Sequence, residues 1–185
     1  AQYALFGFNL ADFWVKADVR LQISPKVGGI KGRLIASRLT PDYIHDFYFS
    51  NHYRWQNNFN KINALQMWAG YFNPVLNLEM GYANHTFTNY MVWNETAQPQ
   101  QLSDAINISQ FTLQHRLKWK DLHLHTWAAL QFSSTSKVQL PRFSIQNLFY
   151  WQKNLFRNAL TAELGFLFYL NTAYFANAFA PASGQ

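Results

Sequence analysis

The sequence contains no cysteine. This absence excludes disulfide frameworks, thiolate metal sites and cysteine nucleophiles. Charged side chains are also scarce: they make up 13% of the residues, whereas an average soluble protein has about 25%. A surface so short of charge is unusual for a soluble domain.

Long apolar runs are missing as well. The most apolar run, Leu164 to Leu170, spans seven residues, whereas a transmembrane helix needs about 20. A transmembrane β-strand needs only about 9 to 11 residues, and only alternate positions must be apolar. The sequence therefore argues against a bundle of membrane helices and leaves a membrane β-sheet open.

Aromatic residues, in contrast, are abundant at 18% and are interspersed with Asn, Gln, Ser and Thr. This mixture is typical of a protein wall with one face in lipid and the other in water. The net charge of +6 comes from Lys and Arg residues scattered singly along the chain. Because nucleic-acid-binding proteins cluster such residues, we expect no nucleic-acid partner.

The clearest period-two alternation runs from Phe13 to Ile23. Its odd positions are all apolar, and its even positions include Lys16, Asp18 and Arg20. Such alternation predicts a strand with one apolar and one polar face. Similar segments predict further strands at residues 30–39, 43–55, 61–72, 75–82, 111–119, 122–132, 143–152 and 159–170, with polar loops at 94–104 and 133–141.

These segments predict an all-β, antiparallel protein of about nine to eleven strands and no helix. A soluble barrel with an aromatic core is the alternative. The small number of charges on the polar faces favours a transmembrane β-barrel. Tryptophans close to predicted turns favour it too, since interfacial girdles place them there; they are Trp55, Trp68, Trp93, Trp119 and Trp151.

Several charged residues fall on the predicted polar faces, where they would line a lumen and favour anionic solutes. They are Arg20, Arg33, Arg54, Arg116 and Lys118, and we expect Glu79 and Glu163 to pair with some of them. The alternative is a packed, salt-bridged interior without an open channel.

His123 and His125 lie two apart on a predicted strand, so both project to one face. With Asp121 they could chelate a metal, but nothing else in the sequence completes a site, and we expect no cofactor.

An enzyme is not expected either. Asp46 and His52 would lie about 20 Å apart on one extended strand, too far to act with Ser50. The sequence has no G-x-S-x-G motif.

The segment from Pro41 to Phe59, PDYIHDFYFSNHYRWQNNF, resembles the putative porin family of Bacteroidetes. Residues 89–94 with 97–100, residues 140–144, and residues 173–176 with Ala178 and Pro181 to Gly184 resemble the same family in the same order. The resemblance covers about residues 40 to 185. It implies an outer-membrane β-barrel of a Gram-negative bacterium, in contact with outer-membrane lipid and lipopolysaccharide.

The resemblance also implies a porin function, the passive diffusion of small solutes. A structural or accessory barrel subunit of a secretion or assembly complex is the alternative, and its partners would be other outer-membrane subunits. The family's chains are longer, and Pro181 to Gln185 has the composition of a loop. Since an open sheet edge in lipid costs several kcal/mol per unpaired group, we expect residues 1–185 to be part of a single, larger barrel domain.

Overall fold

The computed structural model describes residues 1–175 of the chain. Within them lie one helix, α1 (Tyr43–Asp46), and thirteen strands. These are β1 (Gln2–Tyr3), β2 (Phe13–Ser24), β3 (Gly28–Leu39), β4 (Phe47–Phe49), β5 (Arg54–Gln56), β6 (Ile62–Asn73), β7 (Leu78–Thr88), β8 (Met91–Trp93), β9 (Pro99–Gln101), β10 (Ile106–Trp119), β11 (Leu122–Ser133), β12 (Phe143–Leu155) and β13 (Leu160–Asn171). No helix in this part of the chain is long and apolar enough to cross a membrane.

Nine of the strands form one antiparallel sheet, in the order β1-β2-β3-β6-β7-β10-β11-β12-β13. Strand order follows chain order, as in an up-and-down meander. The all-β, antiparallel class is therefore confirmed. Within residues 1–175, the edge strands β1 and β13 do not pair with each other, so the sheet is a partial barrel. The predicted terminal loop at 181–185 lies outside the described residues.

The two ends of the sheet differ in the length of their connections. At one end, here called the turn end, the connections comprise residues 25–27, 74–77, 120–121 and 156–159. The Asn73 side chain shapes one of these turns, because its Oδ1 accepts hydrogen bonds from the backbone N–H groups of Val75 (2.9 Å) and Leu76 (3.0 Å). At the other end, here called the loop end, the connections are long and comprise residues 40–61, 89–105 and 134–142.

The prediction of one long strand over residues 43–55 is wrong. The segment forms α1, β4 and the start of β5, and β4 pairs with β5 as a small hairpin outside the main sheet. Local contacts hold this shape: the Trp55 Nε1–H donates to the backbone oxygen of Ile44 (2.8 Å), and the Tyr48 and Trp55 rings stack at 4.8 Å. The alternating aromatic residues therefore stabilise a folded loop and do not form a strand that spans the sheet.

Other predicted boundaries also differ from the structure, and two of them differ for a clear reason. The segment 94–104 was expected to be entirely loop, but it contains β9, which pairs with β8. The strand expected over 75–82 begins at Leu78, because residues 74–77 form the turn after β6, and it continues to Thr88.

Several well-buried apolar residues lie at the loop end. The β4–β5 and β8–β9 hairpins meet there through an edge-to-face contact between Trp55 and Trp93, with ring centroids 5.8 Å apart. Leu102 and Ile106 are only 5% and 1% exposed. The Gln101 amide ties the two loops together by donating to the backbone oxygens of Asn60 (2.6 Å) and Asn89 (3.0 Å).

Candidate functional site

The main sheet has two faces of opposite character. Register places Asp18, Arg33, Trp68, Gln110 and Gln131 in one row across neighbouring strands. The face that carries this row is here called the polar wall. The adjacent row lies one residue further along each strand and therefore on the opposite face; it contains Val19, Ala69, Tyr82, Phe111 and Leu130. That opposite face is here called the apolar face.

The apolar face is exposed although its side chains are hydrophobic. Val19 is 54% exposed, Phe111 53% and Leu164 77%. The polar-wall aromatic side chains of β6 are better covered: Trp68 is only partly exposed and Phe72 is buried. A soluble β-protein shows the opposite arrangement, with its apolar face turned to the core.

Polar groups and tryptophans bound the apolar face above and below. Towards the loop end, Thr86 donates to Asn107 (2.7 Å), and the Tyr82 and Ser109 hydroxyls are 3.0 Å apart. The last row before the turn end holds Trp119 and Trp151, each paired with Leu122. One row within the apolar face is polar, formed by His115, Thr126 and Asn147, and there Thr126 Oγ1 donates to Asn147 Oδ1 at 2.7 Å.

The girdle interpretation thus fits two of the five tryptophans singled out in the sequence. Trp119 and Trp151 lie on the apolar face next to the turn end. Trp55 and Trp93 instead pack against each other in the loops. Trp68 lies within β6 on the polar wall, and proximity in sequence to a turn could not reveal which face it occupies.

The sheet curves around the polar wall. A cavity of about 520 Å³ opens onto this face and is lined by side chains from six successive strands of the sheet. They include Asp18, Arg20, Lys31, Arg33, Trp68, Glu79, Gln110, Thr112, Gln114 and Trp127. Residues from strands so far apart can line one cavity only if the sheet is concave on this side.

Two ion-pair groups stand on the polar wall. Asp18 accepts from Lys16 (3.0 Å) and from Arg33 Nε (2.6 Å), which links β2 to β3. Lys31 pairs with Glu79, although these residues lie on β3 and β7 with β6 between them. Lys31 reaches across because its direct partner on β6 is Gly70, which has no side chain.

Trp68 occupies the middle of the wall. Its indole lies over Gly70 and Gly81, where an added Cβ would approach the ring to 2.6 Å at either position. Its Nε1 lies 3.4 Å from Thr112 Oγ1. These glycines therefore provide the space that the indole fills, and β6, β7 and β10 are held together at this point.

Six of the seven residues predicted to line a lumen share the polar wall. They are Arg20, Arg33, Glu79, Arg116, Lys118 and Glu163, as the cross-strand register shows. The structure places Arg54 elsewhere: it lies on β5 in the loop hairpin, with its guanidinium 5.5 Å from the Phe49 ring centroid. This follows from the error over residues 43–55, because that segment does not span the sheet.

Within residues 1–175, neither Glu79 nor Glu163 pairs with any of the basic residues predicted to be its partner. Glu79 pairs with Lys31, which sequence reasoning missed because the register of β3 was unknown. Glu163 accepts a hydrogen bond from the Gln152 side chain at 2.7 Å. Lys16 and Asp18 were missed as site residues, although the alternation from Phe13 to Ile23 already placed them on the polar face.

His123 and His125 lie on the polar wall around the Tyr150 ring. The His123 ring stacks on it at 4.6 Å, and the His125 ring meets it edge-on at 5.4 Å. Within residues 1–175 there is no group of three or more His, Cys, Asp or Glu residues that could hold a metal ion. Asp121, the third ligand considered from the sequence, lies 3.8 Å from Lys153 Nζ.

An ion pair closes the loop end of the sheet. Asp12, at the start of β2, is 8% exposed, pairs with Lys61 Nζ at 2.5 Å and accepts hydrogen bonds from Thr40. Burial acts to raise the pKa of this carboxyl, but the hydrogen bonds from Lys61 and Thr40 outweigh it, so the pKa lies below its ordinary value.

One protein-family model matches the chain over its entire given length. The model of a family described as "Putative porin" matches residues 1–185. No curated protein and no solved structure matches the chain. The match extends the resemblance seen over residues 40–185 to the N-terminal strands, including β2 and β3. The partial barrel, its exposed apolar face and its concave polar wall are thus features of a chain that belongs to the putative porin family.

Proposed function

We propose that this protein is a porin-like barrel of the outer membrane of a Gram-negative bacterium, of the Bacteroidetes type that the sequence resembles. The polar wall would face a water-filled lumen through which small solutes diffuse passively. The apolar face would contact the hydrocarbon chains of lipid, and the loop end would face lipopolysaccharide. No cofactor or catalytic group is part of this proposal, and neither is a nucleic-acid partner.

The observation that carries the proposal is the exposure of the apolar face. Soluble proteins rarely leave contiguous apolar patches larger than a few hundred Å² in water. Here side chains of most rows are exposed, for example Leu21 (55%), Met67 (46%) and Phe166 (64%). A lipid environment removes this cost, and polar and aromatic side chains at the two limits suit the interfaces of a bilayer.

The height of the apolar face supports a membrane setting. On β10, ten residues separate Ser109, in the polar group near the loop end, from Trp119, in the last row before the turn end. At about 3.3 Å per residue this is about 33 Å along the strand. A strand tilt of about 40° reduces this to about 25 Å along the membrane normal, the height of the apolar band in outer-membrane barrels.

The charge of the polar wall favours anionic solutes. Register places six basic side chains and three carboxylates on this face within residues 1–175. The basic ones are Lys16, Arg20, Lys31, Arg33, Arg116 and Lys118, and the carboxylates are Asp18, Glu79 and Glu163. An excess of positive charge along a lumen lowers the barrier to anions and raises the barrier to cations.

Single-channel recording tests the proposal. The purified full-length protein is added to a planar bilayer in a potassium chloride gradient, and the reversal potential is measured. We expect stepwise openings. Their reversal potential should lie between zero and the equilibrium potential of chloride. A protein that produces no openings and co-purifies with other envelope proteins would instead be an accessory subunit of a larger complex. Openings that select potassium would contradict the role assigned to the polar wall.

A further inference from the structure

The basic residues of the polar wall are unevenly paired. Lys16 and Arg33 share Asp18, and Lys31 pairs with Glu79. In the part of the chain that the structure describes, Arg20, Arg116 and Lys118 have no carboxylate within 4.0 Å. Arg20 stacks on Phe72 instead, and the other two unpaired cations lie together on β10, close to the turn end.

The residues opposite these two cations are also basic. Arg116 pairs in register with His125, and Lys118 pairs with His123. Directly opposed residues of an antiparallel pair have Cβ atoms about 4.5 to 5.5 Å apart, and like charges there are destabilising. Once the histidines are protonated, four positive charges lie on adjacent positions of two strands. A local arrangement that opposes stability is expected where it serves a function.

The surroundings of the histidines do not neutralise these charges. On β12 the facing titratable group is the Tyr150 phenol, against which both imidazoles pack. On β13 the residue opposite Tyr150 is Gly165. The nearby carboxylates have other partners: Asp121 lies 3.8 Å from Lys153 Nζ, and Glu163 accepts from Gln152 at 2.7 Å.

Space for a ligand lies beside the cluster. A cavity of about 330 Å³ is lined by Arg116 and Gln114 and, on its far side, by Arg20 and the Lys31–Glu79 ion pair. The Arg20 guanidinium is 4.1 Å from the Phe72 ring centroid, so stacking restricts its position. A second cavity of about 190 Å³ shares Arg116 and is lined by His125.

We propose that Arg116, Lys118, His123 and His125 form a binding site for a small oxyanion of charge −2. The arginine fork can donate two parallel hydrogen bonds to such an anion, the lysine adds a point charge, and each protonated imidazole adds an N–H donor. Because these side chains lie on the polar wall, the ligand is a dissolved ion rather than a lipid headgroup. The inference rests on the proposed function, since it requires the polar wall to face water.

Sulfate is a suitable probe because its charge is constant between pH 5 and 8. Its binding to the folded full-length protein in detergent is measured by isothermal titration calorimetry, with Arg116→Gln as the test variant. Lys16→Gln is the matched control: it also removes one positive charge from the polar wall, but from a residue that already has a carboxylate partner. Near-ultraviolet circular dichroism confirms that each variant is folded.

We expect saturable sulfate binding that weakens about tenfold or more in Arg116→Gln, since a hydrogen bond to a charged group is lost. In Lys16→Gln the change should stay below about threefold. Binding should strengthen as the pH is lowered from 7.5, because each imidazole that gains a proton gains a positive charge and an N–H donor. The double variant His123→Asn/His125→Asn should lose that pH dependence and keep the weaker binding of neutral pH.

Equal weakening in Arg116→Gln and Lys16→Gln would show a diffuse charge effect and overturn the site, as would the absence of saturable binding. Calorimetry does not depend on conduction, so the two proposals fail separately. Chloride-selective openings without sulfate binding would refute the proposed binding site but support the proposed pore. Sulfate binding without openings would support the binding site but refute the pore.

Discussion

Replacing Val19 by arginine tests most directly which face of the sheet meets lipid. Val19 lies on the apolar face and is 54% exposed, so arginine can be accommodated without a steric clash with the protein. Any large loss of stability must then come from the medium that surrounds the side chain. In water the substitution would be nearly neutral, as surface changes usually are.

The position of Val19 sets the magnitude. It lies six residues from Phe13 and five from Ser24 along β2. These separations are about 20 and 17 Å along the strand, or about 15 and 13 Å along the membrane normal at a tilt of about 40°. Val19 thus lies near the middle of β2, and in the proposed membrane orientation it would be near the bilayer midplane, where arginine destabilises a barrel by about 2 to 4 kcal/mol.

The assay is equilibrium unfolding of the full-length protein from lipid vesicles by guanidinium chloride, followed by the fluorescence of its seven tryptophans. Two controls accompany it. Ile23→Arg introduces the same side chain on β2 next to the turn end, at a residue that is 68% exposed, and should cost only about 0 to 1 kcal/mol. Gln114→Arg changes the polar wall opposite Glu79 and should be close to neutral. If Val19→Arg costs no more than these controls, the apolar face does not lie in lipid.

Three further predictions concern packing and the loop end. Gly81→Val should destabilise the sheet by about 1 to 3 kcal/mol in the same assay, because the new side chain displaces the Trp68 indole, which an added Cβ would already approach to 2.6 Å; an unchanged midpoint would contradict the packing described for Trp68. Asp12→Asn should lower the free energy of unfolding by about 1 to 3 kcal/mol at pH 7. Because the folded state lowers the pKa of Asp12, its contribution is present above the ordinary pKa of about 4 and is lost as the pH falls through the lowered value, so the difference between the parent and the variant should shrink as the pH falls below about 4; a difference that stays constant over this range would refute this. Trp93→Ala removes the contact with Trp55 and should speed proteolysis within residues 94–98 on folded protein, while leaving the turn at 120–121 protected; equal cleavage rates in parent and variant would show that the two loops are independent.

Much of the sheet was predictable because apolar and polar residues alternate along a strand that has one apolar and one polar face. The alternation from Phe13 to Ile23 predicted β2 to within one residue at its C-terminal end, and Lys120-Asp121 was correctly predicted to be the turn between β10 and β11. The same logic failed over residues 43–55. The alternating aromatic residues there belong to a short hairpin that packs on a neighbouring loop. A strand of such a hairpin and a strand that spans the sheet both have a period of two, so the pattern could not distinguish them.

The sequence alone determined the all-β fold class and which residue types lie on the two faces of most strands. Periodicity, low charge and aromatic content are local or compositional properties, so they can be read without the tertiary structure. Only the tertiary structure decided which of these residues meet. The Lys31–Glu79 pair bridges β3 and β7 over Gly70, and Trp68 rests on two glycines of different strands. The alignment of Arg116 and Lys118 with His125 and His123 likewise depends on the register of β10 and β11. Register follows from turn geometry and from packing across strands, and a shift of one residue would turn every one of these side chains to the other face.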